Sequence, residues 1–313
     1  MENNKVAVSG VNGFVGRHLT RELNNIGLSV IGIDLESDPN SEISGSIEDY
    51  YPADLAKEWP KIPHVRAVIH LAGLASVGSS FLEPEKFIND NTSMVTNMGD
   101  YYKDQDKKPR IVMISSGSVY GPNQPLPINE SGKIGSSSPY AKSKINAEEK
   151  ANEYRNDGLS NFIVLRPFNH IGPGQNQGFL IPDLYNRLSS LKKGEHKIIV
   201  GNIETLRDYT DVRDIVRAYG MIAIAETLKY NLYNICSGAS LSGIEIFNVL
   251  KNAMGLDNIE CEIDQSLFRP TDAKNIVGDN SRIKDELDWE PKIKIDQTIA
   301  DFVISKSKPS PNL

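Results

Sequence analysis

Short apolar runs alternate with longer mixed segments through the first half of the chain. Val6–Val8, Ser29–Ile33, Ala67–Leu71, Ile111–Ile114 and Phe162–Leu165 are rich in valine and isoleucine, as strands buried on both faces are. Between them, Phe14–Ile26, Glu85–Lys103 and Pro139–Arg155 read as helices. This alternation of strand and helix predicts an α/β fold with a parallel sheet covered on both faces. After Arg166 the regularity loosens. Residues 168–180 are rich in Gly, Pro, Asn and Gln and read as a loop. Lys197–Val200 and Leu232–Cys236 read as strands, and Gly243–Met254 and a segment from about Val212 to Thr227 as helices.

The first strand ends in Ser9-Gly10-Val11-Asn12-Gly13-Phe14-Val15-Gly16 and leads straight into a helix. The GxxGxxG spacing is a variant of the dinucleotide fingerprint. Gly10 suits the tight turn, Gly13 lets the backbone approach a pyrophosphate, and Gly16 permits close packing of helix on strand. The N–H groups at the helix start then face the phosphates. The alternative is a glycine-rich turn with no ligand, but strand, helix and second strand all fall where a dinucleotide site requires them. The second strand ends at Asp34, whose carboxylate suits the adenosine ribose hydroxyls and repels a 2′-phosphate. Leu35-Glu36-Ser37-Asp38 adds negative charge and no arginine, so NAD(H) is favoured and NADP(H) is second. A solvent-facing loop carboxylate is the plainer reading of Asp34.

At 313 residues the chain exceeds the usual size of one core. We expect a Rossmann-type, doubly wound domain over residues 1–165, completed by about 203–236. A smaller C-terminal α/β domain, for substrate, takes 166–202 and 237–313. Hydrophobic residues at 39% and charged residues at 24% fit an ordinary globular protein. A net charge of -7 makes bare nucleic acid a poor partner. Cys236 and Cys261 lack metal-ligand spacing and read as buried or half-buried thiols in a reducing compartment, so no metal is expected. No apolar signal core and no bilayer-length run are visible, so the expectation is a cytoplasmic protein without a membrane partner.

Pro139-Tyr140-Ala141-Lys142-Ser143-Lys144 places Tyr140 and Lys144 at i and i+4, on one helix face. An ordinary tyrosine titrates near about 10, and a neighbouring ammonium stabilises its phenolate. Such a pair can exchange a proton with an alkoxide while hydride moves. Lys142 fits a solvated position. The spacing alone is weak evidence; a third group strengthens it. The fourth strand ends in Ile114-Ser115-Ser116-Gly117-Ser118-Val119-Tyr120-Gly121, and residues just past a strand's carboxyl end face the ligand crevice. For Ser118 a plain turn role is preferred.

Fingerprint, Ser-Ser-x-x-Val-Tyr-Gly and Tyr-x-x-x-Lys, in this order and over nearly the whole chain, resemble the extended short-chain dehydrogenase/reductase family of nucleotide-sugar epimerases, dehydratases and reductases. The resemblance implies catalytic roles for Ser116, Tyr140 and Lys144. It places other cofactor contacts on Phe14, Val15, Leu35, Asp54, Leu55, Leu71, Ala72, Gly73, Asn91 and Pro167, and a substrate contact on Ser76. Asp54 lies in an irregular segment. It also implies a homodimer formed through the helices near 85–103 and 139–157.

Arg166-Pro167-Phe168-Asn169-His170-Ile171-Gly172-Pro173-Gly174-Gln175 is similar to the matching loop of GDP-4-keto-6-deoxy-D-mannose reductases, enzymes of deoxysugar biosynthesis. So are Leu206–Asp214 and the block from Arg269 to Asp279. The resemblance assigns Asn169, Arg207 and Arg269 to the nucleotide diphosphate, where guanidinium forks suit phosphate. The alternative for Arg207 is an ion pair with Asp208 or Asp211, and for Arg213 an ion pair is preferred. His170 either touches the sugar or has a structural or merely polar role.

Family 4,6-dehydratases carry acids directly after the catalytic hydroxyl; here Gly117 and Ser118 follow. Epimerase-reductases resembling GDP-fucose synthase use a cysteine and a histidine. No cysteine lies near Ser116, and Gly174 stands where that histidine is expected. The reading is therefore a ketoreductase of a GDP-linked 4-keto-6-deoxyhexose. Its alternatives are a reductase of a dTDP- or CDP-linked ketosugar, a 4-epimerase with tightly held NAD, and a non-catalytic nucleotide sensor. Ser116, Tyr140 and Lys144 speak against the sensor, since a pure binder needs no proton relay.

Overall fold

The structure, a computed structural model, describes residues 4–268 and 273–307. In chain order it contains β1 (Lys5–Ser9), α1 (Phe14–Asn25), β2 (Ser29–Asp34), β3 (Asp49–Pro52), β4 (Ala67–His70), α2 (Val77–Ser80), α3 (Pro84–Lys103), β5 (Arg110–Ile114), α4 (Pro139–Asn156), β6 (Asn161–Pro167) and β7 (Asn169–Ile171). There follow α5 (Leu180–Ser189), β8 (Lys197–Val200), β9 (Leu206–Asp211), α6 (Val212–Ile224), β10 (Leu232–Ile235), β11 (Ser240–Ser242), α7 (Gly243–Ala253), β12 (Glu260–Ile263), β13 (Asn275–Ile276), α8 (Ser281–Leu287) and α9 (Ile295–Ser307).

Seven parallel strands form the main sheet in the order β10-β6-β5-β4-β1-β2-β3. Side chains alternate across it, and the apolar runs supply both faces. Val6, Val8, Ala67, Ile69, Val112, Ile163 and Leu165 enter a core with α1 and α6. Ala7, Val68, Ile111, Met113, Phe162 and Val164 enter the opposite core with α3 and α4. The strand order reverses between β1 and β4, so the crevice at this switch point lies between the glycine loop and the segment after His70.

A third core gathers Ile181, Leu184, Ile198, Ile246, Phe247, Ile299 and Phe302 from α5, β8, α7 and α9. Two small sheets border it, one of β7, β9, β11 and β13, the other of β8 and β12. The pattern missed β3, β7, β9 and β11–β13. β3 is Asp-Tyr-Tyr-Pro at a sheet edge with no buried residue, so hydrophobicity does not mark it. Cys236 is buried, Cys261 half-buried, and neither is paired. Among the described residues no His/Cys/Asp/Glu group is arranged to hold a metal, and no helix is long and apolar enough to cross a membrane.

Buried carboxylates pin the smaller sheets to the main one. Asp208 on β9 accepts from the Ser237 N–H (2.8 Å) and hydroxyl (2.6 Å), the Gly238 N–H (3.0 Å) and the Gly278 N–H (3.2 Å). Asp214 accepts from the N–H groups of Lys292 and Ile293, each at 2.8 Å, while its carbonyl receives the Trp289 indole N–H at 3.0 Å. Asp208→Ala leaves three backbone N–H groups and a hydroxyl without their acceptor. We expect it to cost on the order of 3 kcal/mol, read as a lower urea midpoint; an unchanged midpoint contradicts the role given to Asp208.

Candidate active site

Gly10 turns the chain at φ +72°, a conformation that side-chain-bearing residues avoid. Gly16 has a different constraint: a Cβ there would lie 2.3 Å from the Gly10 carbonyl oxygen and 2.5 Å from that of Val11. The turn and the first turn of α1 therefore close only around glycines. The N-cap of α1 is Gly13, with no side chain to take the leading N–H groups, and no acidic residue occupies the first turn. An anion placed there meets N–H donors and the positive end of the helix dipole. The cradle fits a dinucleotide pyrophosphate.

Asp34 stands at the end of β2, its two oxygens receiving the N–H groups of Asn12 (2.9 Å) and Leu35 (2.8 Å). Sequence reasoning missed the buried Asn12 side chain. Its amide donates to Glu36 Oε2 (2.9 Å), to the Asp38 carbonyl (3.0 Å) and to the Tyr50 hydroxyl (3.2 Å), while its oxygen takes the Asn40 N–H (2.8 Å). These bonds hold an acidic collar beside Asp34. Burial first, and then the charges of Asp34, Glu36 and Asp38, push the Tyr50 phenol up to about 12. Leu35 is exposed.

On the far side of the crevice, Leu71, Ala72 and Gly73 follow β4 and are half-buried. Ser9 fastens them: its carbonyl accepts from the Leu71 N–H at 3.1 Å, and its hydroxyl meets His70 Nδ1 at 2.7 Å. The Asn91 side chain brackets the Leu74 backbone and donates to Ser143 at 2.9 Å, so it braces this segment against α4. Leu55 is buried, and Asp54 accepts from the Ala56 N–H and pairs with Lys57. Ser76 caps α2, and Pro167 is buried at the end of β6.

Ser116, Tyr140 and Lys144 converge at the end of β5. Ser138 caps α4 from outside, and Pro139 starts it, which fixes the entry of Tyr140. Tyr140 is hydrogen-bonded to the Ser116 side chain. Burial holds its phenol above the ordinary value, with the Ser116 bond acting the other way. Lys144 donates to the Ile114 carbonyl at 2.9 Å and lies 6.0 Å from the Tyr140 ring centre. Burial lowers its ammonium to about 8, opposed by the charge of Glu148. Burial is the larger influence on both groups.

The loop after β6 closes the crevice. β7 runs parallel to β9 with Asn169 opposite Tyr209, so alternation sets Asn169, Tyr209 and Arg207 on one sheet face. Arg207 donates through Nη1 to the carbonyls of Leu206 (2.9 Å) and Ala273 (2.8 Å). Asp208 is committed to Ser237, Gly238 and Gly278, and Asp211 to Arg213 and Thr298. Arg213 is ion-paired with Asp211 and Asp301. Arg269 lies outside the described residues. The His170 ring stacks on Phe14 at 6.2 Å and 11°, joining this loop to the glycine loop. His18 and Arg17 reach the Pro173 and Gly174 carbonyls from α1.

Two outcomes test the cofactor site directly. Gly16→Ala is expected to weaken NADH binding by at least about 100-fold in a fluorescence titration, since the methyl can only be accommodated by moving the loop that holds the pyrophosphate. The wild-type protein is expected to bind NADH about 10-fold or more tightly than NADPH, because a 2′-phosphate would sit against Asp34 and the Asn12-held collar. Equal affinities would sink that account of the collar.

The chain was compared with known proteins. The family model described as GDP-mannose 4,6 dehydratase matches residues 7–302. GDP-6-deoxy-D-mannose reductase of Pseudomonas aeruginosa is 31% identical over 301 residues, covering 94% of each chain. The solved structure of RMD from Pseudomonas aeruginosa complexed with NADPH superposes with a TM-score of 0.79 at 29% identity, over 96% of this chain and 98% of that one. An NAD-dependent NDP-hexosamine 5,6-dehydratase, TunA, superposes with a TM-score of 0.86 at 25% identity, over 98% and 99%. The chain thus belongs to the GDP-mannose 4,6-dehydratase family of extended short-chain dehydrogenases/reductases, as an NAD(P)-dependent nucleotide-sugar enzyme.

Proposed function

We propose that the protein is a 4-ketoreductase acting on a nucleotide-linked 4-keto-6-deoxyhexose, with GDP-4-keto-6-deoxy-D-mannose as the substrate to try first. The observation that carries this reading is the state of Ser116. Its hydroxyl oxygen accepts the Ser118 N–H at 3.1 Å, which leaves its own proton to be donated. Beside it, burial keeps Tyr140 protonated. A carbonyl oxygen that enters between these hydroxyls would replace their mutual hydrogen bond with bonds to itself, and the pair prepares it to receive negative charge. The next residues, Gly117 and Ser118, carry no group that gains or loses a proton near neutrality, so elimination of water lacks its acid.

The glycine loop would hold a reduced nicotinamide, which when bound would supply hydride. Ser116 orients the ketone, Tyr140 gives its proton to the oxygen as C4 becomes tetrahedral, and the Lys144 ammonium stabilises the phenolate left behind. The reaction balances as ketone plus hydride plus proton to alcohol. Asn169 and Arg207, on one sheet face, would hold the diphosphate, joined by Arg269 and with Ser76 near the sugar. The GDP preference rests on the 31% relative and on the loop from Arg166 to Gln175. On this reading residues 1–165 with 203–236 hold the cofactor, the remainder holds the sugar nucleotide, and the protein works in the cytoplasm as a homodimer packed through α3 and α4.

Mixing the protein with NADH and GDP-4-keto-6-deoxy-D-mannose is expected to oxidise the cofactor in proportion to the ketosugar. Tyr140→Phe is expected to lower kcat by about 100- to 10,000-fold while the NADH Kd stays put. The rate should be level below pH 8 and fall above it, because Lys144 loses its charge as pH rises through about 8. No cofactor oxidation with GDP-, dTDP- or CDP-linked ketosugars refutes the ketoreductase and moves the assignment to a 4-epimerase.

A further inference from the structure

Glu148 is a buried carboxylate that neither sequence motif includes. It lies one helical turn beyond Lys144, so Tyr140, Lys144 and Glu148 fall at i, i+4 and i+8 on one face of α4. That face is bound to three consecutive residues at the carboxyl end of β5. Tyr140 bonds the Ser116 side chain, Lys144 bonds the Ile114 carbonyl, and Glu148 accepts from the Ser115 hydroxyl. The Ser115 N–H is in turn fixed to the Leu165 carbonyl of β6 at 2.8 Å.

The far side of Glu148 is equally committed. Arg166 on β6 donates to it through Nε at 2.9 Å and Nη2 at 2.5 Å. Glu148 is 7% exposed, Ser115 3% and Arg166 4%, so the pair is dry. Arg166 also lies over the Tyr120 ring at 4.8 Å, and the Tyr120 hydroxyl donates to Asn234 at 2.6 Å. A buried ion pair is a weak device for stability, because desolvation offsets much of the attraction. This one borders the proton relay.

We propose that Glu148 is a positioning residue of the active site: through the Ser115 hydroxyl it holds the β5 edge that presents Ser116, and it places a negative charge one helical turn from Lys144. The other titratable groups facing Lys144 do not supply it. His70 on β4 is buried and neutral, and Tyr140 keeps its proton. Tyr219 on α6, which faces Tyr140, is also protonated. Arg166 is positive and lies beyond Glu148. Glu148 is therefore the carboxylate that opposes the burial of Lys144. The inference rests on Tyr140 and Lys144 being the proton relay, and not on the identity of the ketosugar.

The test reads Lys144 itself. The lysine ε-methylene NMR signals of the full chain are titrated with pH, and the Lys144 signal is identified by its loss in Lys144→Met. In Glu148→Gln the Lys144 midpoint is expected to fall by about one pH unit or more, since a negative charge is removed and Arg166 is left unpaired. A Glu148→Gln protein with wild-type circular dichroism and NADH affinity but an unmoved Lys144 midpoint overturns the proposal. Should Glu148→Gln lose its fold by stranding the Arg166 charge, Glu148→Gln with Arg166→Met removes both ions, and the midpoint is expected to fall by about half a unit, the smaller shift following from loss of both signs of charge. An unmoved midpoint there overturns it equally. With turnover, the alkaline limb of kcat should move down by the same amount at unchanged KM. Absence of turnover in the wild type counts only against the ketosugar reading, because the NMR titration needs no substrate.

Discussion

Parallel pairing puts the carboxyl ends of all seven main strands on one edge of the sheet, and this constraint places the chemistry. β1 ends in the glycine loop, β2 in Asp34, β4 in the Leu71–Gly73 segment, β5 in Ser116 and β6 in the loop bearing Asn169. None of these groups is near another in sequence. They meet because each strand is continued in the same direction by a right-handed crossover. The reversal of order between β1 and β4 opens the crevice, and the loop after β6 closes over it through the His170–Phe14 stack. The stack also gives His170 a place: it joins the glycine loop to the loop after β6.

Much of this edge was legible in the chain because it is written in short-range patterns. The apolar runs marked β1, β2, β4, β5 and β6, since those strands are buried on both faces and tolerate few polar residues. Gly10 and Gly16 were legible because one needs a positive φ and the other has carbonyls where a Cβ would go. Tyr140 and Lys144 were legible through helical spacing. Glu148 obeys the same spacing, but a glutamate at i+8 on a helix otherwise reads as a solvated residue. Its meaning depends on Ser115 and Arg166, which arrive from two other strands. Asn12 was hidden for the same reason, its partners Glu36, Asp38, Asn40 and Tyr50 being set by tertiary packing. β3, β11 and β13 were illegible because short strands with no buried residue leave no apolar period, and β9 because the residues it buries, Asp208, Thr210 and Asp211, are polar.

Buried polar groups do distinct work in the two parts of the molecule. On β9 and α6, Asp208 and Asp214 gather backbone N–H groups of the neighbouring loops that would otherwise be unsatisfied. There the benefit is structural, since each carboxylate lone pair replaces lost water. At the β5 edge the partners are the side chains proposed for the proton relay. Lys144 gives one hydrogen to the Ile114 carbonyl and retains others for ligands, as an ammonium has three. Ser116 uses one acceptor site on the Ser118 N–H and bonds Tyr140 until a substrate replaces it. The site is held by some of its hydrogen-bonding capacity and leaves the rest for a substrate.

Burial acts on both members of the pair. Removing a tyrosine and a lysine from water favours the neutral form of each, so the phenol is pushed up and the ammonium titrates close to physiological pH. Such a pair can give a proton to a developing alkoxide or, in the reverse direction, take one from an alcohol. The carboxylate of Glu148, one turn along α4, then sets how far up the pH scale Lys144 keeps the charge that stabilises the phenolate once the proton has gone.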